Sequence, residues 1–122
     1  MNLATPSKEL DTPVVDRAEA LDLVGGDEEL LREIIGIFFE EYPKLIEGIS
    51  DAVQNQDSRA LERFAHNLKG SVSNFGARSA TQAALDLELM GRKGDIQRAP
   101  AVVKVLEGEL VSLCSALNDL QR

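Results

Sequence analysis

Residues 61–76 read LERFAHNLKGSVSNFG and contain the only histidine of the chain, His66. An α-helix turns about 100° per residue, so positions three, four and seven apart lie on one face. The apolar residues of this stretch follow that spacing: Leu61, Phe64, Ala65, Leu68, Val72 and Phe75. The spacing predicts an amphipathic helix whose apolar face packs into a core, while His66 lies on the opposite, exposed face.

Cations and a glycine surround His66 on that exposed face. Arg59 and Arg63 precede it by one to two turns, Lys69 follows it by three residues, and Gly70 follows it by four. The chain as a whole has a formal net charge of −8, so a local group of cations stands out. A solvated helix face is the simplest interpretation, but the sole histidine between cations favours an anion site.

The run AHNLKG at residues 65–70, with Gly76 ten residues after the histidine, resembles the signature of histidine-containing phosphotransfer domains. A second motif, GRKGD at residues 91–95, resembles the turn between the last two helices of that family. The resemblance extends over nearly the whole chain after about residue 14. It implies a histidine that carries a phosphoryl group between aspartates of receiver domains in a multistep phosphorelay.

Length and composition set limits that agree with this resemblance. The 122 residues fit one domain, and no apolar run is long enough to span a membrane. The acidic net charge argues against nucleic acid as a partner, and there is no N-terminal signal pattern. We therefore expect a cytoplasmic monomer, with residues 1–13 as a flexible tail or linker and residues 14–122 as the phosphotransfer domain.

The remaining sequence is also helical in pattern. Amphipathic segments are indicated at about residues 16–24, 27–54, 57–76, 78–90 and, from about residue 96 or 100, to 120. Pro43 interrupts the second segment, which is either one bent helix or two helices; the uninterrupted apolar period favours one. No segment alternates as a half-buried strand would. The fold class predicted is all-α, an antiparallel four-helix bundle with a short additional N-terminal helix.

The resemblance gives chemical roles to the residues around the histidine. Neutral imidazole is a nucleophile that is well populated near pH 7, so His66 is the expected phosphoacceptor. Phosphoryl transfer requires positioning and charge neutralisation. Lys69 can pair with phosphoryl oxygens, Gly70 leaves room for the reacting partner, and Arg59 and Arg63 add a steering field.

Glu88 and Arg92 are the candidate supporting residues on the next helix. The resemblance places a polar residue, often glutamine, twenty-two residues after the histidine, and this chain has Glu88 there. A tight turn at Gly76 would bring Glu88 level with His66, where its carboxylate can accept a hydrogen bond from Nδ1–H and leave Nε2 free to attack. Arg92 can offset the added negative charge. The alternative is that Glu88 only pairs with Arg92 on an exposed face.

Apolar residues near the start of the domain are candidates for docking a receiver, because interfaces place apolar residues at their centre. The alternative is that they all belong to the core. The candidates are Leu21, Leu23 and Val24 in the first helix and Leu31 and Ile35 at the start of the second.

The leading hypothesis is a phosphoryl carrier without its own turnover, either free-standing or a module of a hybrid sensor histidine kinase. The sequence shows no metal-ligand spacing and no glycine-rich phosphate loop, so we expect no cofactor; Mg²⁺ is expected in the acidic pocket of the partner receiver. One alternative is the substrate domain of a chemotaxis-type kinase, phosphorylated from ATP held by a separate domain. Others are a helical docking module without phosphate chemistry and, less favoured, a hydrolase.

Overall fold

The structure is a computed structural model that describes residues 15–121. Within these residues every regular element is an α-helix, which confirms the all-α class predicted from the sequence. The tail predicted for residues 1–13 lies outside the described residues. The helices are α1 (Arg17–Leu23), α2 (Glu28–Gln54), α3 (Ser58–Ser73), α4 (Arg78–Lys93) and α5 (Ala99–Leu120).

Aspartate caps begin the first three helices. Each carboxylate accepts a hydrogen bond of 3.0–3.1 Å from the backbone N–H three residues along, and the capping residues are Asp16, Asp27 and Asp57. Such a cap stabilises a helix by about 1 kcal/mol, because it satisfies a backbone donor that has no partner within the helix. The second segment forms a single helix of 27 residues with Pro43 inside it, so the one-helix interpretation is confirmed.

The connection between α4 and α5 begins three residues later in the sequence than expected. Residues 91–95 were expected to form the turn, but α4 continues through Gly91 to Lys93. The reversal is made at Gly94, whose left-handed backbone (φ +73°) closes the helix. The connection between α3 and α4 also differs from the prediction. The helix α3 ends at Ser73, three residues before the predicted end at Gly76, and Gly76 has a left-handed backbone (φ +65°).

The core is formed by one face of each long helix. The buried residues of α3 are Leu61, Ala65, Leu68 and Val72, as the period predicts, while Phe64 is only partly buried. Phe75, just after α3, is buried and makes an edge-on contact with Phe38 of α2 at 5.4 Å between ring centroids. These contacts leave the His66 face of α3 outside the core.

Two of the docking candidates belong to this core, so their prediction is wrong. Leu31 is 6% exposed and Ile35 is 1% exposed, and both lie on the buried face of α2 with Phe38. In an α-helix, positions 31, 35 and 38 share one face, and here that face is covered by the other helices. Their side chains are therefore not available to a partner.

The helices α3 and α4 pack more extensively on each other than any other pair. Small residues on α4 permit this: Ala80, Ala83 and Ala84 are buried, and so is Gly91. A Cβ atom at Gly91 would lie 2.5 Å from the backbone nitrogen of Glu62 and 2.7 Å from the backbone oxygen of Ser58. Gly91 therefore sets how closely the two helices approach. Within residues 15–121, no helix is long and apolar enough to cross a membrane.

We predict that Gly91→Ala destabilises the domain by about 1–3 kcal/mol, because the new methyl group meets backbone atoms that cannot rotate away. Gly108→Ala is the matched control, since in the described part of the chain no atom outside the local helix backbone lies within 4 Å of a Cβ at this position of α5. The control is expected to gain about 1 kcal/mol from helix propensity. Chemical denaturation of both variants measures the difference, and equal effects would contradict the close approach of α3 and α4.

Candidate functional site

His66 lies near the middle of α3, and its side chain is 62% exposed. Among the described residues the ring is anchored on one side only, where Nδ1 lies 2.9 Å from Oε2 of Glu88 on α4. This contact between residues twenty-two apart is the one predicted from the sequence. It forms because the two helices run antiparallel: Glu62 contacts Arg92, and one turn further along α3 His66 contacts Glu88.

The carboxylate of Glu88 is buried, with 4% of its side chain exposed. The alternative in which Glu88 pairs with Arg92 on an exposed face is therefore wrong about exposure, although the pair itself is present: Nη2 of Arg92 lies 3.0 Å from Oε2. A buried carboxylate requires compensating partners, because removing it from water is costly. Glu88 has three such partners, namely His66, Arg92 and Lys69.

Lys69 is engaged with Glu88. Its Nζ atom lies 2.8 Å from Oε1, and its side chain is only 28% exposed. The contact is an ion pair rather than a well-directed hydrogen bond, since Oε1 accepts no hydrogen bond of good geometry within the described residues. The sequence analysis did not predict this contact, in which Lys69 neutralises the carboxylate behind the histidine.

These contacts keep Glu88 ionised. The ammonium of Lys69, followed by the ring of His66, holds the pKa of the Glu88 carboxyl below its usual range, although burial alone would raise it. Since charge pairing outweighs desolvation here, the group beside Nδ1 is a carboxylate anion that can only accept a hydrogen bond.

Glu62 is a site residue that the sequence analysis did not identify. Its Oε2 accepts a 3.0 Å hydrogen bond from Nε of Arg92, so Arg92 bridges Glu62 on α3 and Glu88 on α4. The signal was present in the sequence, because Glu62 lies one turn before His66 on the same face. The partner could be recognised only once the register of α3 against α4 was known.

A groove of about 350 Å³ opens beside the imidazole. It is lined by Arg59, Glu62, Arg63, His66, Asn67, Glu88 and Arg92. Among residues 15–121, neither Arg59 nor Arg63 forms an ion pair, and the Arg63 guanidinium lies 5.4 Å from the Phe64 ring centroid. The groove therefore presents positive charge next to the histidine, on a chain that is acidic overall.

Gly70 leaves open space one turn after His66. It is exposed, and among residues 15–121 no atom outside the local helix backbone lies within 4 Å of where its Cβ would be. Unlike Gly91, this glycine is not needed for packing. The space next to the imidazole is therefore accessible to a large reacting partner.

The apolar candidates that remain for docking lie on and near α1. Leu23 is exposed, and Leu21 and Val24 are partly buried. Exposed apolar side chains also occur nearby in sequence at Leu30 and Ile37 of α2. Within residues 15–121, no group of three or more histidine, cysteine, aspartate or glutamate side chains is arranged to hold a metal ion.

The fold and the site define an all-helical domain with one exposed histidine, backed by a buried carboxylate and flanked by cations. The family model of the Hpt domain matches residues 33–120, so the chain belongs to the Hpt domain family. Hpt domains act as histidine phosphotransfer carriers in two-component phosphorelays, where they work with receiver domains of response regulators or kinases.

A structure comparison agrees with this family. The chain is similar to histidine-containing phosphotransfer protein B from Pseudomonas aeruginosa PAO1, with 28% sequence identity and a TM-score of 0.80. The match covers 90% of this chain and 96% of that protein. No match was found among curated protein sequences.

The buried carboxylate predicts a specific dependence of stability on pH. Because the pKa of Glu88 is lower in the folded state than its ordinary value of 4.5, the ionised group stabilises the fold above that value. This stabilisation is lost as the pH falls through the folded-state pKa. Glu88→Gln should therefore lower the free energy of unfolding by about 1–3 kcal/mol near pH 7 and by progressively less below about pH 4.5.

Denaturation of wild type and variant at a series of pH values measures this difference. Glu107→Gln, which removes an exposed carboxylate of α5, is the control for the change in net charge. A difference between wild type and Glu88→Gln that stays constant from pH 7 to pH 3 would contradict the linkage.

Proposed function

We propose that this chain is a phosphoryl carrier in which His66 accepts a phosphoryl group from a receiver aspartate and passes it to another receiver. The observation that carries the proposal is the one-sided anchoring of the ring. Nδ1 is held against a buried carboxylate, while the exposed ring and the empty space at Gly70 leave the other side open. An imidazole held in this way has one nitrogen fixed as a donor and the other available as a nucleophile.

The incoming step follows from this geometry. Nδ1 carries the proton and donates it in a hydrogen bond to Glu88, so the lone pair is on Nε2. Nε2 attacks the phosphorus of the aspartyl phosphate; the P–N bond forms, the P–O bond to the aspartate breaks, and the receiver carboxylate leaves. The proton on Nδ1 remains shared with Glu88, which therefore fixes the reactive tautomer.

Local cations offset the negative charge that arrives with the phosphoryl group. Lys69 and Arg92 both contact Glu88, so the carboxylate behind the ring is compensated before the phosphoryl group comes close. Arg59 and Arg63, which line the adjacent groove, supply the field that attracts an anionic partner.

A receiver domain is the proposed partner, and it would supply the Mg²⁺ ion from its own acidic pocket. We propose that it docks on the apolar residues of α1 and the exposed side of α2. The proposed docking residues are the exposed Leu23, Leu30 and Ile37 and the partly buried Leu21 and Val24; Leu30 and Ile37 replace the buried Leu31 and Ile35.

We propose that α2–α5 form an antiparallel four-helix bundle with α1 at one end, that residues 14–122 constitute the domain, and that it acts as a monomer in the cytoplasm. It has no nucleotide site of its own in this proposal, so it is a transfer intermediate and not an enzyme with turnover. In this proposal residues 1–13 are a tail or linker outside the domain.

The phosphoacceptor prediction is tested with His66→Gln. The wild-type chain should be labelled by a phosphorylated receiver, and the label should be acid-labile and base-stable, as expected of a phosphoramidate. The variant should show no labelling, because glutamine has no nucleophilic ring nitrogen, while its circular dichroism should match wild type. Residual labelling of the folded variant would rule out His66 as the acceptor.

The same assay distinguishes the donors. Labelling by receiver phosphate, without ATP, supports the phosphorelay carrier. Labelling that requires ATP and a separate kinase domain would support the chemotaxis-type alternative. Signalling that persists in a His66→Gln strain would support a docking module.

Access beside the ring is tested with Gly70→Gln. The added side chain enters open space, so the domain should remain folded and gain up to about 1 kcal/mol from helix propensity. Transfer should slow by at least about tenfold, equivalent to about 1.4 kcal/mol in the transition state, because the side chain obstructs the partner. Gly108→Gln, the same change at another open helical glycine, should leave the rate unchanged. Equal transfer rates in the two variants would contradict the role of Gly70.

A further inference from the structure

Glu88 faces the one ring nitrogen that stays free once His66 is phosphorylated. With a phosphoryl group on Nε2, Nδ1 is the only position of the ring that can gain or lose a proton. Nδ1 lies 2.9 Å from a buried oxygen of Glu88. A fixed anion at hydrogen-bonding distance favours the charged form of a neighbouring base. We infer that Glu88 keeps the phosphorylated ring protonated at Nδ1, so that the phosphoryl group leaves from an imidazolium; this inference rests on the proposed function.

The proton on Nδ1 decides what leaves in the outgoing step. A carboxylate oxygen of the accepting aspartate attacks phosphorus; the new P–O bond forms, the P–N bond breaks, and its electron pair goes to Nε2. When Nδ1 is protonated, the leaving group is neutral imidazole, which still donates its Nδ1 proton to Glu88. Without that proton the leaving group would be an imidazolate anion, which is a much poorer one. Glu88 thus acts as a positioning residue for the second half of the reaction.

The negative charge of Glu88 is compatible with a nearby phosphoryl group because cations already neutralise it before the phosphoryl group arrives. Lys69 lies 2.8 Å from one oxygen and Arg92 3.0 Å from the other, and Arg92 is itself held by Glu62. Every residue that lines the groove at the ring comes from α3 or α4. The charged groups that face the ring are therefore Arg59, Glu62, Arg63 and Lys69 on α3 and Glu88 and Arg92 on α4.

Glutamine at position 88 is the matched variant for this inference. Its side-chain oxygen can accept the same hydrogen bond from Nδ1–H, so the tautomer and the ring position are retained. It has no negative charge, so it does not favour the imidazolium. Glu88→Gln is expected to be less stable, but in the folded variant a role of Glu88 that is limited to holding the ring in place would be preserved, whereas the effect on protonation would be lost.

The direct test is an NMR titration of the phosphorylated ring. Wild type, Glu88→Gln and the control Glu107→Gln are loaded with phosphoramidate, and the ring ¹⁵N shifts are followed against pH. In Glu88→Gln the protonation midpoint should fall by about one pH unit or more, a tenfold change in proton affinity. The control should titrate like wild type. Coincident midpoints in wild type and Glu88→Gln would overturn the inference.

A kinetic measurement adds the functional readout. Outgoing transfer to one receiver is measured for wild type and Glu88→Gln across the same pH range. The wild-type rate is divided by the Glu88→Gln rate at each pH, so that titration of the receiver cancels. The ratio should increase with pH by up to about tenfold per unit between the two midpoints, because only the variant loses its proton there. A ratio that is independent of pH would contradict the inference.

The experiments distinguish failure of the proposed function from failure of the inference about Glu88. If wild type is not phosphorylated on His66 at all, the proposed function fails and this inference fails with it. If it is phosphorylated and the titrations coincide, only the inference fails. Should Glu88→Gln not fold, Glu88→Asp replaces it, because aspartate keeps the charge but holds it one methylene further from the ring. The protonation midpoint of the phosphorylated ring should then be lower than in wild type. An unchanged midpoint would count against the inference.

Discussion

The buried carboxylate of Glu88 is the constraint on which the site depends. A charge with 4% of its side chain exposed is tolerated only when it is paired, and its partners come from two helices: His66 and Lys69 from α3, and Arg92 from α4 itself. The same contacts that satisfy the charge fix α3 against α4 and orient the imidazole. Structural and chemical requirements are therefore met by one group of side chains.

Close packing of the two helices is what brings this carboxylate to the histidine. Gly91 and the buried alanines of α4 leave no bulk between the backbones, and a single methyl group at Gly91 would meet the backbone of α3. A hydrogen bond of 2.9 Å between side chains on different helices requires such an approach. Small residues that carry no chemistry of their own thus determine the geometry of the site.

The site is asymmetric, and the asymmetry suits a carrier. One side of the imidazole is held by a buried anion, while the other is exposed beside the open position of Gly70. Arg59 and Arg63 add positive charge next to it, although the chain has a net charge of −8. A positively charged site on a protein that is otherwise acidic attracts an anionic partner to that site and not to the rest of the surface. A phosphoryl carrier requires this combination of a fixed nucleophile and unobstructed access.

The sequence by itself determined the features that depend on local physics. The helical periods predicted the helices, and the aspartate caps seen in the structure are equally local, because a helix is stabilised by contacts within a few residues. The position of His66 on the exposed face of α3 followed from its spacing relative to Leu61, Ala65 and Leu68. The link between Glu88 and His66 was also predicted, with the help of the family resemblance and of an antiparallel pair joined by a short turn.

Only the tertiary structure decided which partners each side chain has. Apolar residues occur almost all round the start of α2, at positions 30, 31, 34, 35, 37 and 38, so periodicity alone could not show that Leu31 and Ile35 are covered while Leu30 and Ile37 are exposed. The contact of Lys69 with Glu88 was not predicted, and Glu62 was recognised only through Arg92. These outcomes depend on the register and distance between helices, which are set by packing over the whole core and not by any short stretch of sequence.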